Sequence, residues 1–487
     1  MAGRANRAQP WWTLIGACAG LFILMLDSTV VTLALPSIQR DLGASLDGLQ
    51  WVQNAYLLTL AALVVTGGRL GDILGRRLVF VWGMAIFAAG SVLSASAGGE
   101  AQLVAGRVLQ GAGGSALLAL SLAITSHAFP DELQGRVLGI WASVSAIALA
   151  IGPLVGGLLI DAASWRWIFW INLPVAALGI AILVLRGEES RDETAPRRVD
   201  VAGICVLGAG LTAIVFALVQ ADEWGWDSPA TLGLTMLGLA LLVAFWRVER
   251  AAPVPLVDFS LFRNRPYLGA SAAAFALVGA YWSVMFFQPQ YLQDILGKSA
   301  IAAGALILPI TAPMVFFSAF SGRVIARFGA RATMTSGMVC ALAGLLLQAR
   351  VDAHSDYMQL LPGFLLFGIS LALVYAPMST AAMTAMPREK AGIASGVLAM
   401  NRVLAGAVLL AVTGAVFQGS LPASTESIAG AGAGAFTSAL SSALLVPAGV
   451  VAVGAVLTWL LVPEPTRATP VPASELLHHQ HHRRFHL

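Results

Sequence analysis

Three ionisable side chains stand inside apolar stretches of this sequence. Asp27 lies in the run 12–35, WTLIGACAGLFILMLDSTVVTLAL, and is the sole acidic residue placed deep within such a stretch. A carboxylate surrounded by hydrocarbon must be protonated, paired or turned towards water, and chains that keep one generally use it to move protons or ions. Arg107, in LVAGRVLQGAGGSALLAL, needs a partner or water too. Its alternative is snorkelling to an interface about six residues away. Arg402, in LAMNRVLAGAV, lies about ten residues into its stretch, too deep to snorkel easily. With Asn401 it is a candidate cavity or gate residue.

Asp27 falls about sixteen residues into the first stretch, near 24 Å along a helix. That is the outer half of the span, as for Arg107, so the two are expected to share a cavity. Burial and a nearby guanidinium pull a carboxyl in opposite directions, which keeps it able to exchange a proton. One deep carboxylate and two deep arginines leave a buried charge of about +1, or about +2 once Asp27 is protonated. That balance disfavours divalent cations. It suits neutral, zwitterionic, weakly acidic or monovalent hydrophobic compounds.

The elements that must carry these residues are membrane helices. Of the 487 residues 58% are hydrophobic and 11% charged, with mean hydropathy +0.81; soluble domains carry roughly 25% charge. The chain therefore reads as an all-α integral membrane protein. The net charge of +3 is spread through short loops and indicates no nucleic-acid partner. The first stretch is too long for a signal-peptide core and reads as a retained span. Cys18, Cys205 and Cys340 all lie in apolar runs and give neither a disulfide framework nor a metal spacing. The predominance of Arg over Lys, with abundant Ala and Gly, points to a high-GC bacterial genome.

A helix needs about 20 apolar residues to cross the hydrocarbon. Fourteen stretches are expected to do so: 12–34, 49–68, 78–97, 101–126, 136–159, 165–186, 201–220, 230–247, 267–291, 302–321, 332–350, 359–384, 392–417 and 438–462. With the N-terminus in the cytoplasm, 22 of 28 basic residues lie inside. Arg40, Arg166, Lys298 and Arg350 lie outside, and Arg107 and Arg402 within spans. Both termini are thus expected to be cytoplasmic.

The loop after the second stretch, GRLGDILGRR at 68–77, recurs after the tenth as GRVIARFGAR at 322–331. The offset of 254 matches Gly68/Gly322, Arg69/Arg323, Gly75/Gly329 and Arg77/Arg331. If the seventh and eighth stretches are an insertion, each loop follows the second helix of a six-helix half, a common transporter plan. The expected units are an N-terminal six-helix bundle (1–186), two inserted spans (187–266), a C-terminal six-helix bundle (267–462) and a cytoplasmic tail (463–487). Segment 419–437 reads as a flexible outer loop.

Asp72 is placed to cap or pair near a helix N-terminus, while Arg76 and Arg77 hold the cytoplasmic surface. Gly68 and Gly75 allow tight turns or close helix approach. The alternative is an ordinary positive-inside loop, against which the second copy argues. Ala326 replaces Asp72 in that copy, so any charge-relay role belongs to the first half. In AIGPLVGGLL, Gly152, Gly156 and Gly157 beside Pro153 permit close packing and a kink, and plain helix packing accounts for them equally.

The LGKS at 296–299 has Leu292 where a phosphate loop needs its first Gly, so it does not bind ATP. The tail HHQHHRRFHL reads as disordered rather than as a metal site. No Ser/His/Asp or paired-carboxylate set occurs within the spans, so neither enzyme chemistry nor a cofactor is expected.

Taken together, LDSTVVTLALPSI, GRLGDILGRR, GRVLQGAGG, AIGPLVGGLL and WRWIFWINLP resemble the major facilitator superfamily, most closely its fourteen-span drug:proton antiporters. YLQDILGKSAIAAGALILP is similar as well, so the resemblance spans nearly the whole chain. It implies the major facilitator fold, two six-helix bundles plus two inserted helices. It implies proton coupling through Asp27 and Arg107 and a gating loop of Gly68, Asp72, Gly75, Arg76 and Arg77. It implies export rather than uptake through Gly152, Pro153, Gly156 and Gly157. The cavity is expected to be lined by side chains such as Gln53, Asn54, Tyr56, Tyr281, Trp282 and Gln288, with Asn401 and Arg402. One departure is that some multidrug members carry further deep acidic residues, which this chain lacks.

The expected function is proton-driven efflux of hydrophobic small molecules, such as antibiotics or dyes, by a monomer in the bacterial plasma membrane. Its rivals are a dedicated exporter of one endogenous metabolite, an importer, and a receptor or scaffold with no transport.

Overall fold

The computed structural model of the protein describes residues 9–192, 199–253, 255–387, 390–422 and 432–463. The His-rich tail and the central parts of segments 187–200 and 419–437 lie outside the described residues. Within them the regular structure is helical and no strand occurs. The N-terminal helices are α1 (Gln9–Leu42), α2 (Leu46–Leu74), α3 (Arg76–Ala95), α4 (Glu100–His127) and α5 (Asp131–Ala162), followed by short α6 (Trp167–Trp170) and α7 (Asn172–Arg186). Next come α8 (Val201–Val219), short α9 (Ala221–Trp224) and α10 (Pro229–Ala251). The C-terminal helices are α11 (Arg265–Gln290), α12 (Ala300–Gln348), α13 (Tyr357–Thr384), α14 (Ala391–Gly419) and α15 (Gly432–Leu461).

Polar caps set many of these boundaries. Ser45, Asp200, Ser228, Asn264, Ser299 and Asp356 each accept a first-turn backbone N–H at the start of a helix. Such caps satisfy donors that a helix cannot bond internally.

Thirteen helical segments among the described residues are long and apolar enough to cross a membrane. The expected count of fourteen is not reproduced. The stretch at 302–321 falls in the first part of α12, whose apolar run Ala300–Phe316 lies among the described residues. It is not a free-standing helix, because α12 runs on to Gln348 through a break at Gly329.

That break bears on the internal repeat. Gly75 has φ 120° and its counterpart Gly329 has φ 80°, a region that favours glycine. Arg77 Nη1 donates to the carbonyl of Gly187, just past α7, at 2.9 Å. Its counterpart Arg331 donates through Nε to the carbonyl of Val462, just past α15, at 2.6 Å. Each loop thus ties the second helix of its half to the sixth.

In the N-terminal half, α4 packs on α2 and α3, and α1 packs on α4, α5 and α7. In the C-terminal half, α12 packs on α13 and α15, and α11 on α14 and α15. The halves meet where α5 lies on α12, α2 on α14 and α1 on α11. The α8–α10 pair leans on both, through α8 against α2 and α14.

Hydrogen bonds join the halves at the end where α1 and α5 finish and α2 and α12 begin. Asp161 accepts from the backbone N–H of Ala300 (3.2 Å) and Ile301 (2.9 Å) at the start of α12. Gln293 donates to the Leu33 carbonyl at 2.9 Å, and Gln418 donates to Asp47.

Candidate functional site

Asp27 sits midway along the inner face of α1, 1% exposed, and Arg107 is fully buried. Arg107 Nη1 donates to Asp27 Oδ2 at 2.5 Å. The other carboxylate oxygen accepts from Gln110 Nε2 at 2.9 Å and from Asn172 Nδ2 at 3.0 Å. Both amides also donate to Ser91 Oγ, at 2.9 and 3.2 Å. Arg107 and Gln110, one helical turn apart, present the same face of α4, and Arg107 Nη1 bonds Gln110 Oε1 at 2.8 Å. Arg107 Nε reaches the Val52 carbonyl of α2 at 3.0 Å, and its guanidinium lies 4.2 Å from the centre of the Tyr56 ring. Helices α1, α2, α3, α4 and α7 therefore converge on one buried network around Asp27 and Arg107.

A buried ion pair of this kind is strongly held only when its remaining lone pairs and protons are bonded. Asp27 meets that condition. Arg107 Nη2 and Asn172 Oδ1 have no partner among the described residues, so the network has room to rearrange. Snorkelling is excluded for Arg107 by its burial and its bonds.

A cavity lies between the halves. Tyr56, Tyr281, Trp282, Tyr375, Thr311 and Arg402 line it, with aliphatic side chains such as Leu24, Leu60 and Met314. Asp27 and Arg107 are not in its wall. The expectation that they share this cavity is corrected: they contact each other behind Tyr56, whose ring touches both the cavity and the guanidinium.

The other expected cavity residues divide. Tyr56, Tyr281, Trp282 and Arg402 line the space. Gln53 and Asn54 are fully buried off it, with no hydrogen-bond partner among the described residues. Gln288 donates to Gln348 Oε1 at 3.0 Å inside the C-terminal half, and Asn401 donates to the Ser271 carbonyl at 2.8 Å, tying α14 to α11. All four lie off the opening in this conformation: the amides of Gln288 and Asn401 turn into helix contacts, and those of Gln53 and Asn54 are buried.

In the loop, Asp72 Oδ1 accepts from Arg76 Nε at 2.9 Å. The helix-capping carboxylate is Glu189 instead. It accepts from the backbone N–H of Arg77 (2.9 Å) and Leu78 (3.1 Å) at the start of α3. A Cβ at Gly75 would fall 2.8 Å from that carboxylate. Gly68 needs no such closeness, since a Cβ there would meet Ala119 at an ordinary 3.5 Å.

The glycine–proline motif faces two partners. Cβ atoms at Gly152 and Gly156 would run into Thr29 and Val30 of α1. One at Gly157 would fall 2.5 Å from Ala300 O and Ile301 Cα of α12. The Pro153 carbonyl packs against Gly304 of α12. The motif thus lies where the two halves meet.

Reading the residues alone missed Ser91, Gln110, Asn172, Glu189, Thr311 and Tyr375. Gln110 and Asn172 had a usable signal: uncharged amides inside otherwise apolar stretches. A serine such as Ser91 has none, since its hydroxyl can bond its own helix, as Ser91 does to Phe87.

A helical membrane bundle in two facing halves, with a cavity between them and a buried acid–base pair beside it, is the architecture of a transporter. The family model described as Major Facilitator Superfamily matches residues 17–410, and the chain belongs to that family of membrane transporters. It is 35% identical over 422 residues to Multidrug resistance protein Stp of Mycobacterium tuberculosis, covering 86% of this chain and 78% of that protein. It is 34% identical over 410 residues to the Tetracenomycin C resistance and export protein of Streptomyces glaucescens, covering 84% and 76%. Its fold is similar to the crystal structure of a D-xylose–proton symporter, with TM-score 0.65, 15% identity, and coverage of 93% and 98%. The chain is a multi-pass membrane transporter whose relatives are named for multidrug and antibiotic resistance.

Proposed function

We propose that the protein exports hydrophobic small molecules from bacterial cells in exchange for protons. The observation that carries this reading is Asp27, buried against Arg107 and one aromatic ring away from the cavity. Protonation removes the negative charge and frees the Arg107 guanidinium to find new acceptors. Tyr56, stacked on that guanidinium, transmits the change to the cavity wall. One proton then enters for each substrate molecule released. A potential of 100 mV contributes about 2.3 kcal/mol for each net charge moved.

The protein works as a monomer in the plasma membrane, with both termini in the cytoplasm. Residues 1–186 and 267–462 are the two moving bundles, 187–266 is the inserted unit, and 463–487 is a cytoplasmic tail. The Gly152–Gly157 motif and its α12 contacts form the outer seal. Gly68, Asp72, Gly75, Arg76 and Arg77, clasped by Glu189, govern the rate of switching. Gln53 and Asn54 continue the Tyr56–Leu57 face of α2 towards that seal. They join the substrate path when it opens, because hydration then satisfies amides that lack partners now. Gln288 and Asn401 belong to the scaffold of that path.

The deciding experiment is dye or drug efflux with and without an uncoupler. Asp27→Asn is expected to abolish gradient-driven efflux while the protein still inserts and folds. Uncoupler-sensitive efflux by that variant would remove Asp27 from the mechanism. Export of one endogenous metabolite is the second reading, favoured by the relative named for tetracenomycin C resistance and export.

A further inference from the structure

The cavity is not electrically neutral. Among the described side chains lining it, Arg402 is the one that carries a full charge. The negative charge of Asp27 is matched by Arg107 and walled off behind Tyr56. A guanidinium stays protonated at any physiological pH, so the space between the halves presents one positive charge.

That charge is only partly answered by the protein. Arg402 Nη2 donates to Ser379 Oγ at 2.6 Å, and the guanidinium lies 5.0 Å from the Tyr375 ring centre. A hydroxyl and a ring face do not neutralise a cation. Arg402 Nε is buried with no acceptor among the described residues. Two more cavity-lining groups share that state, the Tyr281 hydroxyl and Thr311 Oγ1. Three residues that line one space, on α11, α12 and α14 of the C-terminal half, thus each carry a buried polar atom with no partner among the described residues. Unbonded buried donors are costly, and a ligand that supplies acceptors recovers that cost.

The remaining walls are flat and apolar. Tyr56, Tyr281, Trp282 and Tyr375 line the same space as the guanidinium, and Tyr281 and Trp282 meet edge to face at 5.8 Å. Planar ring systems match such walls.

We propose that the cavity selects planar aromatic weak acids and binds them as anions, with a carboxylate or phenolate on Arg402 and the ring system among the tyrosines and Trp282. This rests on the export reading for its direction, but the binding preference does not. Within that reading, an anion leaving and a proton entering are both driven by an inside-negative potential. Cationic aromatics of the same shape would meet an unpaired positive charge in a dry site and are disfavoured.

The test is a binding titration on the full-length protein in nanodiscs, without a proton gradient, read by tryptophan fluorescence quenching. The probes are anthraquinone-2-carboxylate, its carboxamide and its aminomethyl analogue. The carboxylate is expected to bind at least about tenfold more tightly than either, the range of a charge-assisted hydrogen bond. Arg402→Gln is expected to bring the three within about threefold of each other, and Arg402→Lys to keep part of the preference. If Arg402→Gln does not fold, the wild-type ranking and the lysine variant decide. Equal or tighter binding of the ammonium compound, no binding of the carboxylate, or an acid preference that survives Arg402→Gln would overturn the proposal. A chain that binds the acid but never exports it sinks the export reading alone. One that pumps only cations sinks the acid preference alone.

Discussion

Removing one member of the Asp27–Arg107 pair leaves the other charged and dry. Arg107→Leu is expected to cost about 3–5 kcal/mol, the range for stranding a buried partner. A thermal melt in detergent would read this, and adding Asp27→Asn to the same chain should recover most of it. A melt unchanged in Arg107→Leu would mean that the pair is not holding the N-terminal half. Gln110 and Asn172 test the site differently. Gln110→Leu and Asn172→Leu each remove one donor from Asp27 Oδ1 without removing a charge. Their expected effect is a shifted pH profile of efflux with the protein still folded. Loss of activity at every pH alike would assign them a packing role only.

Helices carry the next set of consequences. Gly157→Val is expected to part α5 from α12, because a side chain there has no room against Ala300 and Ile301. Gly68→Ala should be near neutral, since its Cβ would meet only an ordinary contact. Labelling of an engineered cysteine at position 300 with an impermeant thiol reagent would separate the two: raised in the first, unchanged in the second. At the other end, Lys390 Nζ bonds Asp258 Oδ2 at 2.8 Å and Ser260 Oγ at 2.9 Å, tying the start of α14 to the turn before α11. Burial pushes the Asp258 carboxyl up, but the hydrogen bonds from Lys390 and Ser260 outweigh it and hold the group below the usual carboxylate range. A lowered carboxyl stabilises fully above its unfolded value and loses that contribution only as pH falls through the folded one. The join is therefore expected to stay intact between about pH 5 and 8. The stability loss in Lys390→Gln should be the same across that window.

For the molecule as a whole, reporter fusions after Arg186 and after Arg265 should report cytoplasm, and fusions near Trp224 the outside. A cytoplasmic signal at Trp224 would break the topology. Alternation also has a readout. Gln50, Gln53 and Asn54 are buried amides on the face of α2 that runs into the cavity at Leu57 and Leu60, with no hydrogen-bond partner among the described residues. Cysteines at 53 and 54 are expected to react with an external thiol reagent during turnover and not in the state described here. Protection throughout turnover would confine the substrate path to other helices.

Much of this was legible in the chain alone. Hydropathy specifies the membrane bundle, because hydrocarbon tolerates almost nothing but apolar helices. The 254-residue repeat specifies two related halves, and paired positive-φ glycines and paired arginine ties are its physical content. The cost of a charge in lipid singled out Asp27, Arg107 and Arg402. What needed the tertiary structure was which helix faces which. Residues of α1, α3, α4 and α7 meet at Asp27 across separations of up to 145 positions, and no local pattern records that meeting. Packing alone set the Asp27 pair behind Tyr56 and left Arg402 to charge the cavity. It also turned Gln288 and Asn401 into helix contacts, since a side chain's chemistry says that it needs a partner and only the assembled helices decide which partner it gets.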